Sequence, residues 1–241
     1  MSPRATSASA KRRQPDARTL SLTYPQVPRL NARRIDICLT AAHIFIERGY
    51  DATSVNDVAA ALGMTKAGLY HYISSKESLL YEIVNYSMDA LDAEVVAPVR
   101  GIRDPEERLH QILLRHASLA TCHNGHVTQL TDELQALPPV LRKKIERRKR
   151  EYFDLVRDTL IELKNAGRLR DVDPTVATFS TLGMIIWLPQ WFKPRARLSS
   201  EEVAAEVTKL ALGGLLKPKK RAKRRSLRLL NQAQGPRLEP A

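Results

Sequence analysis

Apolar residues recur along this chain at helical spacing, block after block. In the stretch that begins at Asn31, Ile35, Leu39, Ala42, Phe45 and Ile46 lie three or four positions apart, and Gly49 followed by Tyr50 stops the run. That is the signature of an amphipathic first helix. The next segment, SVNDVAAALGMTKAGLYHYISSKESLLYEIV, packs three helix starts together. Ser54 with Asp57 three positions later resembles a capping box, and Val55, Val58, Ala59 and Leu62 then form one apolar stripe. Gly63 ends that short helix and Met64 lies in the turn. Thr65 can cap a second short helix, Lys66 to about Tyr72, while Ser74 with Glu77 caps a longer one through Leu79, Leu80, Ile83, Val84 and Met88.

Beyond Pro98 the pattern stays helical. Asp104-Pro105 is an N-cap with proline at the first helical position, opening a helix with Leu109, Ile112, Leu113 and Leu119 on its apolar side. A short helix is expected around Leu130 and Leu134, and Pro138-Pro139 starts a long one from Val140 to Ala166, closed by Gly167. Asp173-Pro174 repeats the Asp-Pro opening and leads into a helix from Val176 to Phe192. Ser199 with Glu202 caps a last helix to about Leu216, with Val203, Val207, Leu210 and Ala211 on one face. The fold class expected is all-α, with little or no sheet: an N-terminal three-helix domain, then a larger helical one. The expected divisions are an arm over 1–30, the first domain over 31–78, the second over 79–216 and a tail over 217–241.

Composition agrees with helices, since hydrophobic residues make up 43% of the 241 but aromatics only 5%, with 10 Gly. The formal net charge of +13 resembles a nucleic-acid signature until its location is considered. Residues 1–30 carry six Lys/Arg against Asp16 alone, and residues 217–241 carry nine against Glu239 alone, so 24 basic and 24 acidic residues remain between them. The excess charge belongs to the tails. Such tails raise non-specific affinity for DNA through counterion release but read no sequence. The four prolines among Ser, Ala, Thr and Arg in residues 1–30 predict a flexible arm, although an Arg- and Ser-rich, acid-poor start overlaps the composition of an organellar transit peptide. Two cysteines, Cys38 and Cys122, make no disulfide framework and fit a reducing cytoplasm. The apolar stretch 176–192 is too short and too polar to span a bilayer.

The neutral middle of the chain offers one clear constellation. A helix-turn-helix needs small residues where its helices cross, a glycine turn, and a second helix whose first residues face a DNA groove. Ala59, Ala60 and Ala61, then Gly63, then Thr65, Lys66 and Gly68 supply these in order. Lys66 can donate to a guanine edge or a phosphate, and Thr65 can reach a phosphate or a thymine methyl. The missing side chain of Gly68 lets a base or sugar approach the backbone. In plainer terms, Leu69, Tyr72 and Ile73 are partly core, Tyr70 covers a helix junction, and Lys76 is an ordinary surface lysine.

The run from Thr53 to Leu79, TSVNDVAAALGMTKAGLYHYISSKESL, closely resembles the DNA-binding region of the TetR family, with its T-x-x-x-I-A-x-x-x-G turn and L-Y-x-x-F-x-S-K-E-x-L ending. The resemblance covers about Ile35 to Val84; Val58 stands for the usual Ile and Ile73 for the usual Phe, both still core residues. It implies that Thr53 and Ser54 start the second helix at the DNA, that Thr65, Lys66 and Gly68 lie on the recognition helix, that Tyr70 and His71 contact phosphates, and that Lys76 anchors the backbone. The order W-x-x-x-W-F-x-P from Trp187 to Pro194, followed by LSSEEVAAEV and LALGGLL, is similar to the acyl-CoA-responsive branch of that family, which includes repressors of fatty-acid and steroid-side-chain degradation. That similarity implies a homodimer built on the last two helices and a pocket for a small hydrophobic effector, an acyl-CoA-like thioester. Phe153, Phe179, Trp187 and Trp191 are the candidate lining, with plain core or dimer contact as the other reading.

The partners so implied are double-stranded operator DNA, the effector and a second copy, with no cofactor, no catalysis and no membrane. The competing class is a small-molecule enzyme or carrier with incidental basic tails. No nucleophile elbow, P-loop, dinucleotide fingerprint or paired carboxylates at a strand end supports it. Cys122, His123 and His126, with His116 two turns earlier, match no standard zinc spacing and read as a solvated loop. The seven Lys/Arg between Arg142 and Arg150 read as a solvated helix face, although a CoA phosphate could use it.

Overall fold

A computed structural model describes residues 32–122, 130, 133–193 and 197–218. The head is built from α1 (Ala32–Arg48), α2 (Val55–Ala61), α3 (Lys66–Tyr70) and α4 (Lys76–Leu91). After a π-helical turn at Asp92–Val96 come α5 (Ala97–Val99), α6 (Pro105–Thr121), α7 (Pro139–Asn165), α8 (Pro174–Ile186), α9 (Leu188–Trp191) and α10 (Ser200–Leu215). Among the described residues the only β pairing is one bridge, Leu169 with Leu216. The expected arm and most of the tail lie outside the described residues.

Local chemistry sets most helix starts as the sequence predicts. Ser54 and Asp57 form both halves of a capping box, as do Ser199 and Glu202. Asp104 and Asp173 each accept two backbone N–H groups ahead of a proline at the first helical position. Gly49, Gly63 and Gly167 take positive φ, the left-handed conformation a bulkier residue resists. Two expectations are corrected. Helix α4 is capped by Ser75, which pairs with Ser78, instead of by Ser74 with Glu77; the box one position later leaves Ser74 outside the helix, where its N–H donates to Ser78 Oγ. The helix expected over 176–192 breaks after Ile186, because Pro189 has no N–H to donate and its ring would meet the carbonyl of Ile185 in a continuous helix.

Two apolar cores meet along α4. Ile37, Phe45, Val58, Leu69, Ile73, Leu79, Leu80 and Ile83 fill the first, while Met88, Leu109, Leu113, Val156, Leu160, Ile185 and Ala204 belong to the second. The change of core falls inside α4, between Val84 and Met88. Leu130, Leu134, Leu137 and Ile145, from the α6–α7 connection and the start of α7, join the first core. The α6–α7 connection thus ties the larger helical layer into the head. At Pro98 the missing N–H leaves Glu94 O without its helical donor, and Arg115 Nη1 lies 3.5 Å from that oxygen.

Candidate nucleic-acid interface

Helix α3 and the start of α2 both carry exposed residues that the sequence singles out. Helix α3 follows from Thr65, whose extended backbone and side-chain oxygen, accepting from Gly68 N at 3.0 Å, start a helix immediately after the Gly63 turn. Leu69 is fully buried beneath it and Ile73, just beyond its end, nearly so, which anchors α3 on the core and leaves its other residues at the surface. Thr65, Lys66, Tyr70 and His71 are all exposed, Tyr70 by 43%. Lys66 Nζ stands 5.9 Å from the Tyr70 ring centre, and the rings of His71 and Tyr72 meet edge to face at 5.5 Å. A cation and a phenol hydroxyl thus stand one turn apart on the exposed surface of α3, with Thr65 and His71 exposed at its two ends.

Gly68 sits between them. A Cβ there would stand 3.2 Å from Thr65 Oγ1 and 3.7 Å from Met64 Cε, so the position is tight on the capping side and open outward. Val58 and Ala59 form the buried contact of α2, whereas Ala60 and Ala61 are exposed. The expectation that all three alanines line the helix crossing therefore holds for Ala59 alone. Helix α2 is only two turns long, and Val58 and Ala59 occupy its inward side.

Thr53 is placed differently from the sequence reading. It is 2% exposed, and its hydroxyl donates to Gly49 O at 2.8 Å, closing the loop after α1. Its single proton is spent inward, so it cannot also donate to a phosphate. Ser54 is exposed, but its hydroxyl is engaged with Asp57: it donates to Oδ2 at 2.5 Å and accepts from the Asp57 N–H at 3.2 Å. Those bonds to Ser54 hold the Asp57 carboxyl below its ordinary range. Lys76 is half-buried, with Nζ 4.0 Å above the Tyr50 ring and 3.5 Å from Asp51 O. It clamps the start of α4 to the loop after α1, a relation that spans 25 residues and carries no local signal. Burial, then the charge of Glu77, pushes the Tyr50 hydroxyl up to about 12, so this aromatic partner stays neutral.

The four aromatic candidates in the larger layer do not surround a common interior space. Phe179, Trp187 and Trp191 are 65%, 64% and 53% exposed, on the outer side of α8 and α9. Phe153 is half-buried and packs its ring against Phe179 at 4.5 Å. The physical cause is the α8 pattern: Ala177, Thr181, Leu182 and Ile185 face the core, so Val176, Phe179, Ile186 and Trp187 must face out. Leu210 of α10 is likewise exposed, and the α-carbons of Gly183, Gly213 and Gly214 have open space above them.

His116 is buried and its Nδ1 meets Tyr152 Oη at 2.9 Å, while Cys122 Sγ donates to Leu119 O. His123 and His126 lie outside the described residues, and no group of metal-holding side chains occurs among those described. On the basic stretch of α7, Arg148 turns inward to Asn85, Asp89 and Asp92, whereas Lys143, Lys144, Lys149 and Arg150 are exposed. No described helix is long and apolar enough to cross a membrane.

Comparison with known proteins agrees with this geometry. Residues 37–83 match the bacterial regulatory proteins of the tetR family, and residues 102–215 match the tetracyclin repressor-like C-terminal domain. The HTH-type transcriptional repressor KstR2 of Mycobacterium tuberculosis is 29% identical over 191 residues, covering 78% of this chain and 95% of that one. The crystal structure of AibR in complex with isovaleryl coenzyme A and operator DNA is similar at 39% identity with a TM-score of 0.68, covering 74% of this chain and 97% of that one. The TetR-family regulator PfmR from Thermus thermophilus is 34% identical with a TM-score of 0.66, covering 74% and 97%.

Proposed function

The chain belongs to the TetR family of transcriptional regulators, and from that premise we propose that it is a dimeric, cytoplasmic repressor released from a palindromic operator by a small hydrophobic effector. One observation carries the DNA reading: Lys66 and Tyr70, one turn apart on α3, are both exposed, while Leu69 of the same helix is buried. A helix seated in this way presents its first turn to a major groove. Lys66 and Thr65 would read base edges or flanking phosphates, Tyr70 and His71 would hold phosphates, and Gly68 would admit the backbone to close contact. Ser54, exposed at the start of α2, would lie at the same surface. Thr53 and Lys76 support the surface from behind.

The exposed apolar side of α8, α9 and α10 is the dimer contact in this reading. A row of Phe, Ile and Trp along α8 and α9, with Leu210 of α10 exposed as well, is costly in water, and the open glycines allow a second pair of helices to come close. Phe179, Trp187 and Trp191 then serve the interface, with Phe153 behind Phe179 as the remaining candidate near an effector. AibR has been crystallised with isovaleryl coenzyme A, and that favours an acyl-CoA-like thioester as the effector class here. An effector that binds better to the form with splayed heads lowers operator affinity by that difference. The protein would act by binding alone, without catalysis.

Electrophoretic shifts with the DNA upstream of the protein's own gene, at moderate salt and with competitor DNA, test the proposal. Sequence-selective retardation that an acyl-CoA thioester reverses is the expected result. Absence of any selectivity would overturn it.

A further inference from the structure

Helix α3 is five residues long. One turn of helix cannot hold itself, because nucleation costs more than its one or two internal bonds return. Thr65 secures its start, and at its end Ala67 O accepts from His71 N while Leu69 O accepts from both Tyr72 N and Ile73 N, so the closing turn is tightened and irregular. The turn that closes α3 is secured from elsewhere: Arg34, in the first turn of α1, donates from Nη2 to Tyr72 O at 2.8 Å. The same nitrogen lies 3.6 Å from Glu82 Oε1 in the middle of α4. One guanidinium therefore joins α1, the end of α3 and α4, and puts a positive charge where the dipole of α3 favours one.

The apolar contacts beneath α3 set how deep it lies, but burial is non-directional and leaves tilt and rotation poorly fixed. A hydrogen bond to a carbonyl is directional. Reading base edges demands donors held to within about half an ångström, whereas attraction to phosphates tolerates larger displacement. From this we infer that Arg34 is a positioning residue: it sets the tilt of α3 and thereby the sequence selectivity of the protein, not its affinity for DNA at large. The inference rests on α3 being the recognition helix.

The test compares full-length wild type, Arg34→Gln and Arg34→Lys on two duplexes. One is a sequence the wild type recovers from a random library, and the other is an unrelated duplex of equal length. Arg34→Gln should lower the ratio of the two affinities about tenfold, the scale of one lost charge-assisted hydrogen bond. Affinity for the unrelated duplex should stay within about twofold, and the salt slope should be unchanged. Amide exchange over residues 66–73 should quicken while that of α4 does not. Arg34→Lys, which keeps the charge but not the planar fork, should lose roughly threefold in the ratio; it carries the comparison alone if the glutamine variant does not fold. An unchanged ratio overturns the inference. So does an equal loss on both duplexes with a shallower salt slope, since Arg34 would then be a phosphate contact itself. A wild type that recovers no preferred sequence fails at the earlier step and removes the reading of α3 as well.

Discussion

Arg148, near the middle of α7, places Nη2 2.8 Å from Oδ1 of Asp89 in α4. The same guanidinium donates to Asn85 Oδ1 at 2.7 Å and pairs with Asp92 at the π-helical turn. Asp89 and Arg148 are both largely shielded from water, so their attraction is weakly screened. Arg148 thus ties α7 to the stretch of α4 where one core gives way to the other. Arg148→Ala should lower unfolding free energy by about 1–3 kcal/mol, as expected when a shielded charge loses its partner. Asp89→Ala added to it should cost less than the sum of the two single changes in a urea-denaturation cycle.

Lys66→Ala and Tyr70→Ala should each weaken selective DNA binding at least tenfold while leaving thermal unfolding and dimerisation unaltered, since both side chains are exposed. Lys66→Ala should also reduce the slope of log affinity against log salt by about one. A filter-binding titration at several salt concentrations reads both quantities. Equal binding by the variants and the wild type would place recognition elsewhere.

Gly68→Ala separates stability from binding. Alanine favours a helix over glycine by up to about 1 kcal/mol, but here its Cβ presses on the capping oxygen of Thr65 at 3.2 Å. The two effects oppose each other, so the melting temperature should shift little. The added methyl also thickens the surface between Thr65 and Tyr70, and selective affinity should fall about tenfold, the measure of roughly 1.4 kcal/mol.

Phe179→Glu or Trp187→Glu should convert a dimer into a monomer, because either change sets a carboxylate in the middle of the exposed apolar row. Sedimentation velocity over a range of concentrations measures this. Operator affinity should fall with dimerisation, as the two half-sites would no longer be bound together. Dimers that persist in both variants would assign the row another role.

Burial lowers the pKa of His116 from 6.5 to about 4. The unfolded chain therefore binds a proton through this group at a pH where the folded chain does not. Its stabilising contribution is complete above pH 6.5 and is lost as pH falls from 6.5 toward 4, amounting to roughly 2–3 kcal/mol over that window. His116→Gln keeps an acceptor for Tyr152 and removes the titration, so the decline in melting temperature between about pH 6.5 and 4.5 should flatten.

Local features of this chain are set by residues close together in sequence. The boxes at Ser54–Asp57 and Ser199–Glu202, the Asp-Pro starts at Asp104 and Asp173, and the left-handed turns at Gly49, Gly63 and Gly167 each depend on partners within a few positions. The helix-turn-helix could therefore be recognised from residues 53 to 79 alone. Where two local choices were equally good, as with Ser74–Glu77 and Ser75–Ser78 before α4, periodicity could not separate them. The direction of individual side chains was decided only by tertiary packing. Thr53 turned inward because the loop after α1 offered Gly49 O, and Phe179 and Trp187 faced water because the other side of α8 met the core. The links from Arg34 to Tyr72 and from Arg148 to Asn85 span 38 and 63 residues. Such contacts follow from how helices cross, and crossing is settled by the shape and volume of whole apolar faces, which no short window of sequence contains.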